Sequence, residues 1–109
     1  ERGINLSGGQ KQRISIARGI IKKPAILIFD DCLSAVDLET EEIIVQNLLQ
    51  VMAGKTCVIT SQRISSVRQA HEIIVLDQGE IIERGTHEQL LALQGYYYNL
   101  HQKQLKVGI

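Results

Sequence analysis

One run of residues constrains the fold more than any other. Ala25-Ile26-Leu27-Ile28-Phe29 stands unbroken between Pro24 and the acidic pair Asp30-Asp31. It is too short for a free-standing helix and has no polar alternation. Such a pattern predicts a strand covered on both faces, as in a parallel sheet. Thr56 to Thr60 (TCVIT) predicts a second buried strand. Parallel neighbours need a crossover, usually a helix. The segment between them supplies one: Asp37 is placed to cap a helix running to about Met52, with Glu39, Glu41 and Glu42 near its positive N-terminal end. Ile44, Val45, Leu48, Leu49 and Met52 would form its buried stripe, and Gly54 would end it.

The flanking segments extend this α/β reading. Ser7 to Lys23 predicts a helix, opened by a capping box of Ser7 and Gln10 and stopped by Pro24. Ile14, Ala17 and Ile21, with Ile20 beside them, recur at helical spacing as its apolar face. Arg63 to Gln69 predicts a short helix. Glu72 to Leu76 and Glu80 to Arg84 predict strands joined through Asp77-Gln78-Gly79 as a hairpin. Thr86 with Gln89 makes a second capping box before Leu90, Leu91 and Leu93; Gly95 breaks that helix, and Tyr96 to about Leu105 forms a last amphipathic one. The fold class is therefore α/β: a mostly parallel sheet flanked by helices, with a C-terminal β-hairpin and two helices. Ligands of such sheets sit beyond the carboxyl ends of the strands, where Asp30, Asp31 and Gln62 fall.

Composition narrows the function classes. Twelve Lys and Arg balance 12 Asp and Glu, so net charge argues for neither nucleic acid nor an acidic membrane surface as a partner. The basic run Lys11, Arg13, Arg18, Lys22 and Lys23 has no interleaved aromatics and reads as a solvated helix face. Cys32 and Cys57 read as buried reduced thiols, and the scattered His71, His87 and His101 as surface or capping residues rather than a metal site. Tyr96, Tyr97 and Tyr98 read as packing for the last helix. No apolar run approaches the ~18 residues that span a bilayer, and no segment of these residues reads as a signal peptide. A start at Glu1, a few residues before a motif, gives the expectation of a piece cut from a longer polypeptide.

The chemistry begins at Leu6-Ser7-Gly8-Gly9-Gln10. A Ser-Gly-Gly at a helix start presents N–H groups, a hydroxyl and the positive end of a helix to one point, which is a phosphate site or an ordinary glycine turn. An aspartate ending a buried strand, as Asp30 does, can serve Mg²⁺ through water or simply cap a turn. The succession decides between these readings. LSGGQKQR, then AILIFDD, then Ser34-Ala35-Val36-Asp37 resembles the signature motif, Walker B and D-loop of ABC ATPases, and Gly85 to Leu100 (GTHEQLLALQGYYYNL) is similar to the end of exporter-type cassettes.

That resemblance covers almost the whole chain. It implies a P-loop NTPase-like fold in which residues 1–109 form the C-terminal part of one ATPase domain. The signature helix would occupy 1–23, Walker B to the last strand 25–85, and the C-terminal helices 86–109. It implies ATP and Mg²⁺ as cofactors, a second cassette paired head to tail, and a transmembrane domain at the cytoplasmic face of the cell membrane. Ser7, Gly8 and Gly9 would contact the γ-phosphate held by the partner, with Gln10 supporting them. Asp30 would serve Mg²⁺ in this chain's own site, and Asp37 would cross the dimer interface.

Two positions depart from the family pattern. Asp31 stands where the family has the Glu that polarises the attacking water, and Gln62 stands where it has the switch histidine. A carboxylate one methylene shorter is withdrawn by about 1.5 Å, and glutamine has no titratable proton. Both changes fall on this chain's own site, whereas LSGGQ serves the opposite one. The expectation is a degenerate-site subunit of a heterodimeric exporter. A soluble ABC ATPase of DNA repair or translation and a non-hydrolysing regulatory cassette are the alternatives. No GxxxxGK[ST] loop occurs in the chain, so the fragment by itself is expected to be inactive.

Overall fold

The computed structural model describes residues 7–107. Leu6 of the signature lies outside the described residues. The chain forms two compact units, Glu1–Gln62 and Arg63–Ile109, each with its own core.

The first unit contains α1 (Gly8–Ile21), β1 (Ile26–Asp30), α2 (Leu38–Val51) and β2 (Thr56–Thr60). β1 and β2 pair in parallel, from Ile26 opposite Thr56 to Asp30 opposite Thr60, with α2 as the crossover. Leu27 and Phe29 point into a core with Ile16, Leu33, Val36, Val45, Leu48 and Met52. The strands are not covered on both faces, contrary to expectation. β1 alternates, with Ile26 63% and Ile28 65% exposed, and Val58 of β2 is 44% exposed. The buried apolar side chains of both helices join the cluster with Leu27 and Phe29, and among the described residues the Ile26–Ile28 face of this sheet is left exposed.

The buried face of α1 also differs from the expected one. Ile14 and Ala17 are exposed and Ile21 is 75% exposed; Gly9 and Ile16 are buried instead, with Gln12, Gly19 and Ile20 partly so. The buried stripe therefore runs through two glycines and a glutamine. A Cβ on Gly19 would lie 3.2 Å from Leu27 Cδ1, so the helix approaches the strand where it has no side chain. α1 ends before Pro24, as expected, through Lys23 in the left-handed region (φ 51°) with its N–H donating to the Ile20 carbonyl. On α2, Val45, Leu48 and Met52 are buried and Ile44 partly so, but Leu49 is 42% exposed.

The second unit contains α3 (Ile64–Val67), β3 (Ile73–Asp77), β4 (Glu80–Gly85), α4 (His87–Leu93) and α5 (Tyr96–Lys106). Among the described residues β3 pairs only with β4, antiparallel, in a sheet distinct from β1–β2. The hairpin loop is the two residues Gln78-Gly79, both with positive φ (51° and 80°), as in a type I′ turn. A bulge comes next: Val75 faces Glu83 while Leu76 faces Ile81, which leaves Ile82 as the extra residue. Ile64, Ile73, Leu90 and Tyr97 form the core. The expected Thr86–Gln89 capping box is present, and the expected packing role of the tyrosines falls to Tyr97.

Candidate functional site

The site-bearing residues of the first unit converge because of how its loops are tied. At the start of α1, Ser7 Oγ accepts from the Gln10 N–H at 3.1 Å, and Gln10 Oε1 accepts from the Ser7 N–H at 2.9 Å. The Gly8 and Gly9 N–H groups lie in the first turn, where the helix offers them no acceptor. Ser7, Gly8 and Gln10 are exposed, whereas Gly9 is buried. Gly9 has a structural reason to be glycine: a Cβ there would lie 2.9 Å from the Ala35 carbonyl oxygen, and one on Gly8 would lie 3.2 Å from Ala35 Cβ. The end of the signature helix therefore rests on the backbone of the Ser34-to-Asp37 loop.

Gln12 completes that junction, and sequence reasoning overlooked it. Its Oε1 accepts from the Ala35 N–H at 2.8 Å. Its Nε2 donates to Ser34 Oγ at 3.0 Å and, at 3.4 Å, to the Asp31 carbonyl. The available signal was its place three residues beyond Gly9 and four before Ile16, on the buried face.

The carboxyl ends of β1 and β2 supply the acids. Asp30 Oδ1 accepts from the Thr60 hydroxyl at 2.6 Å, and the Asp31 N–H donates to the Thr60 carbonyl at 2.9 Å. Both aspartates are exposed. Asp31 has φ 56°, a left-handed conformation that Asp tolerates better than most side chains. Gln62 lies just past β2 and is exposed. Asp37 is the N-cap of α2, its Oδ1 accepting from the Thr40 N–H at 2.7 Å. The structure thus brings Asp30, Asp31 and the Ser61-Gln62 turn to one sheet edge. It joins that edge through the loop 31–37 to the start of α1.

The donor set limits what cation could be held. Among the described residues no three His, Cys, Asp or Glu side chains form a metal-holding group. Asp30 keeps one carboxylate oxygen beyond its Thr60 bond. It therefore fits Mg²⁺ held mainly by phosphates and water, and does not fit an all-protein cage. The cysteines lie apart from this chemistry: both are free and half-buried, and burial pushes the Cys57 thiol up.

In the second unit polar side chains serve the fold. Glu83 of β4 accepts from the Tyr96 N–H at 2.6 Å and the Tyr97 N–H at 3.1 Å, and so caps α5 from outside the helix. Gln104 Oε1 accepts from the Ile64 N–H at 2.9 Å. His87, expected at the surface or as a cap, is 5% exposed, with Nδ1 2.7 Å from the Tyr97 hydroxyl and its ring edge-on to His101.

Comparison with known proteins agrees with this geometry. The family model described as ABC transporter matches residues 1–34. The chain is 50% identical over 105 residues to the Toxin RTX-I translocation ATP-binding protein of Actinobacillus pleuropneumoniae, covering 95% of this chain and 15% of that protein. It is 50% identical over 104 residues to Multidrug resistance protein 3 of Entamoeba histolytica, covering 95% and 8%. The structure of a bacterial Atm1-family ABC exporter with ATP bound aligns with a TM-score of 0.88 and 41% identity, over 95% of this chain and 18% of that one. The chain thus spans less than a fifth of the length of each of these relatives. Sequence and structure together make it a fragment of the ATP-binding domain of the ABC transporter family.

Proposed function

We propose that this fragment belongs to an exporter. In the whole protein its domain would pair head to tail with a second cassette beneath a transmembrane domain, at the cytoplasmic face of the membrane. There it would bind and hydrolyse ATP to drive transport. The relatives support export, since their names concern toxin translocation and multidrug resistance. Their cargo is not carried over. The similar exporter with ATP bound supports ATP as the nucleotide.

The observation that carries the reading is the junction of α1 with the loop 31–37. On this reading it joins two edges that would face phosphate, one at Ser7-Gly8-Gly9 and one at Asp30, Asp31 and Gln62. Ser7 and the first-turn N–H groups would meet the γ-phosphate on the partner cassette, with Gln10 holding Ser7 in its capping box. Asp30 would help hold the Mg²⁺ that neutralises phosphate charge in the chain's own site. Asp31 would orient water there and Gln62 would hydrogen-bond the γ-phosphate.

That own site is the weaker of the two. Asp31 falls short by about 1.5 Å, and a misplacement of ~1 Å can cost ~100-fold in rate. Gln62 cannot supply the charge of an imidazolium. The partner is therefore a different cassette with a complete Walker B, and this chain's signature serves the faster site. A regulatory reading, in which the own site holds ATP without hydrolysing it, is supported by the same two residues. The left-handed φ of Asp31 offers a purely conformational reason for aspartate, so the two explanations need an experiment. Asp31→Glu with Gln62→His in the full-length transporter is expected to raise hydrolysis at this site by about 100-fold, read by single-turnover assays with the partner site disabled. An unchanged rate, or equal rates at both sites of the unaltered protein, would defeat the degenerate-site reading.

A further inference from the structure

The side chain of Gln12 makes a set of contacts that the proposed ATP chemistry does not itself require. It lies one turn inside α1, on the face that carries Gly9 and Ile16. Its amide reads the facing loop with both ends. The carbonyl end takes the Ala35 N–H at 2.8 Å; the amino end gives to Ser34 Oγ at 3.0 Å and points toward the Asp31 carbonyl at 3.4 Å. Ser34 Oγ lies in turn 3.5 Å from the same Asp31 carbonyl. Gly8 and Gly9 meet Ala35 alongside, with no space for a Cβ at Gly9.

We infer that Gln12 is a positioning residue that makes the signature end of α1 and the loop 31–37 move as one body. The inference rests on the function proposed above, in which the first of these ends faces the partner's ATP and the second borders the chain's own site. Coupling between sites needs a physical element that both sites bias. Here that element is the α1–loop junction, where one glutamine ties Asp31, Ser34 and Ala35 to the helix. Residue chemistry makes the role specific. Only an amide of this length offers an acceptor to Ala35 N–H and a donor to Ser34 at once. Glutamate keeps the acceptor and loses the donor. Methionine keeps the length and loses both. Asparagine keeps both but stops about 1.5 Å short. A displaced loop would shift the Asp31 backbone while leaving the sheet intact, because the Asp31 N–H remains bonded to Thr60.

The test uses the full-length transporter with its partner, as wild type and as Gln12→Met, Gln12→Glu, Ser34→Ala and the Gln12→Met/Ser34→Ala pair. Hydrogen exchange is read first, because it does not depend on hydrolysis. Gln12→Met is expected to speed exchange of the Ala35 amide and its loop neighbours by about tenfold, the equivalent of one net hydrogen bond, with β1 and β2 unchanged. Steady-state ATPase is expected to show kcat lowered about tenfold and KM for ATP moved less than about twofold, the mark of an interaction needed in the transition state. Gln12→Glu should fall between wild type and Gln12→Met. The double variant should be no worse than Gln12→Met alone, since both substitutions break one network. Unchanged loop exchange in Gln12→Met overturns the inference, whatever the ATPase does. So does a kcat loss that only tracks loss of folded protein, or one that adds to that of Ser34→Ala. A wild-type protein that exchanges as expected but hydrolyses no ATP overturns the proposed function and leaves the junction standing.

Discussion

The stretch up to Gln62 and the stretch from Arg63 both cap their helices with side chains, but they differ in where those and other polar groups lie. In the first unit Ser7, Gly8, Gln10, Asp30, Asp31, Asp37 and Gln62 are exposed, and they gather at strand ends and helix starts. Its sheet also leaves Ile26, Ile28 and Val58 uncovered. In the second unit the polar groups turn inward. Glu83, Gln104 and Thr86 satisfy helix N-termini, while His87 and Tyr97 are bonded to each other beside the core. An open unit that aims its polar groups outward is organised around something it binds. A unit that turns His87, Tyr97 and Gln104 inward is organised to hold a shape. Removing a buried group should therefore loosen the second unit and leave the chemistry of the first alone.

The largest effect expected on that side comes from Leu90, which is 0% exposed in the second core. Leu90→Ala removes a buried side chain and leaves a cavity, at a cost of about 3 kcal/mol. Hydrogen exchange in the full-length protein should show α4 and α5 opening more readily, with α1 and β1 unaffected. Coordinate loosening of α1 would break the division between the units. Next comes Glu83. Its carboxylate occupies the space a Gly95 side chain would need and takes two N–H groups of the first turn of α5. Glu83→Ala is expected to cost about 1–2 kcal/mol, the value of a good N-cap, seen as faster exchange at the start of α5. An α5 as well protected as in wild type would show that the cap carries little.

The same division governs how much was legible in the sequence. Local devices were plain: the capping boxes of Ser7 with Gln10 and Thr86 with Gln89, the Asp37 cap and the positive-φ Gly79 each depend on residues a few places apart. The strand ends carrying Asp30 and Asp31 were legible for the same reason. Long-range polar contacts were not. Gln12 meets Ala35 across 23 positions and Gln104 meets Ile64 across 40, and nothing in the neighbourhood of either residue announces the partner. The buried face of α1 was misassigned because it runs through Gly9, Gln12 and Gly19. A search for apolar periodicity favours Ile14 and Ile21, which point outward. The one-sided cover of β1 was missed because a continuous apolar run predicts burial on both faces and carries no record of which part of the chain supplies each cover.

The smallest effect expected, and the one that tests the inward-turned unit most directly, is its response to pH. His87 is held below the ordinary histidine value, first by burial and then by the charge of Arg68 and by His101, with Glu88 opposing. Tyr97 is pushed up to about 12, chiefly by burial, so its phenol keeps its proton at any physiological pH. That phenol lies 2.7 Å from His87 Nδ1 and can donate to it when Nδ1 carries no proton. Above the unfolded value near 6.5 the imidazole is neutral in both states, and its share of stability is fully present. As pH falls below that value the unfolded chain takes the proton first. Stability is then lost until pH passes the folded value. Exchange of α4 and α5 in the full-length protein should therefore accelerate from pH 7 to pH 5, after correction for intrinsic rates. His87→Gln, which keeps an acceptor for Tyr97 and cannot titrate, should flatten that dependence. An equal slope in the variant would place the pH response of this unit outside its buried pair.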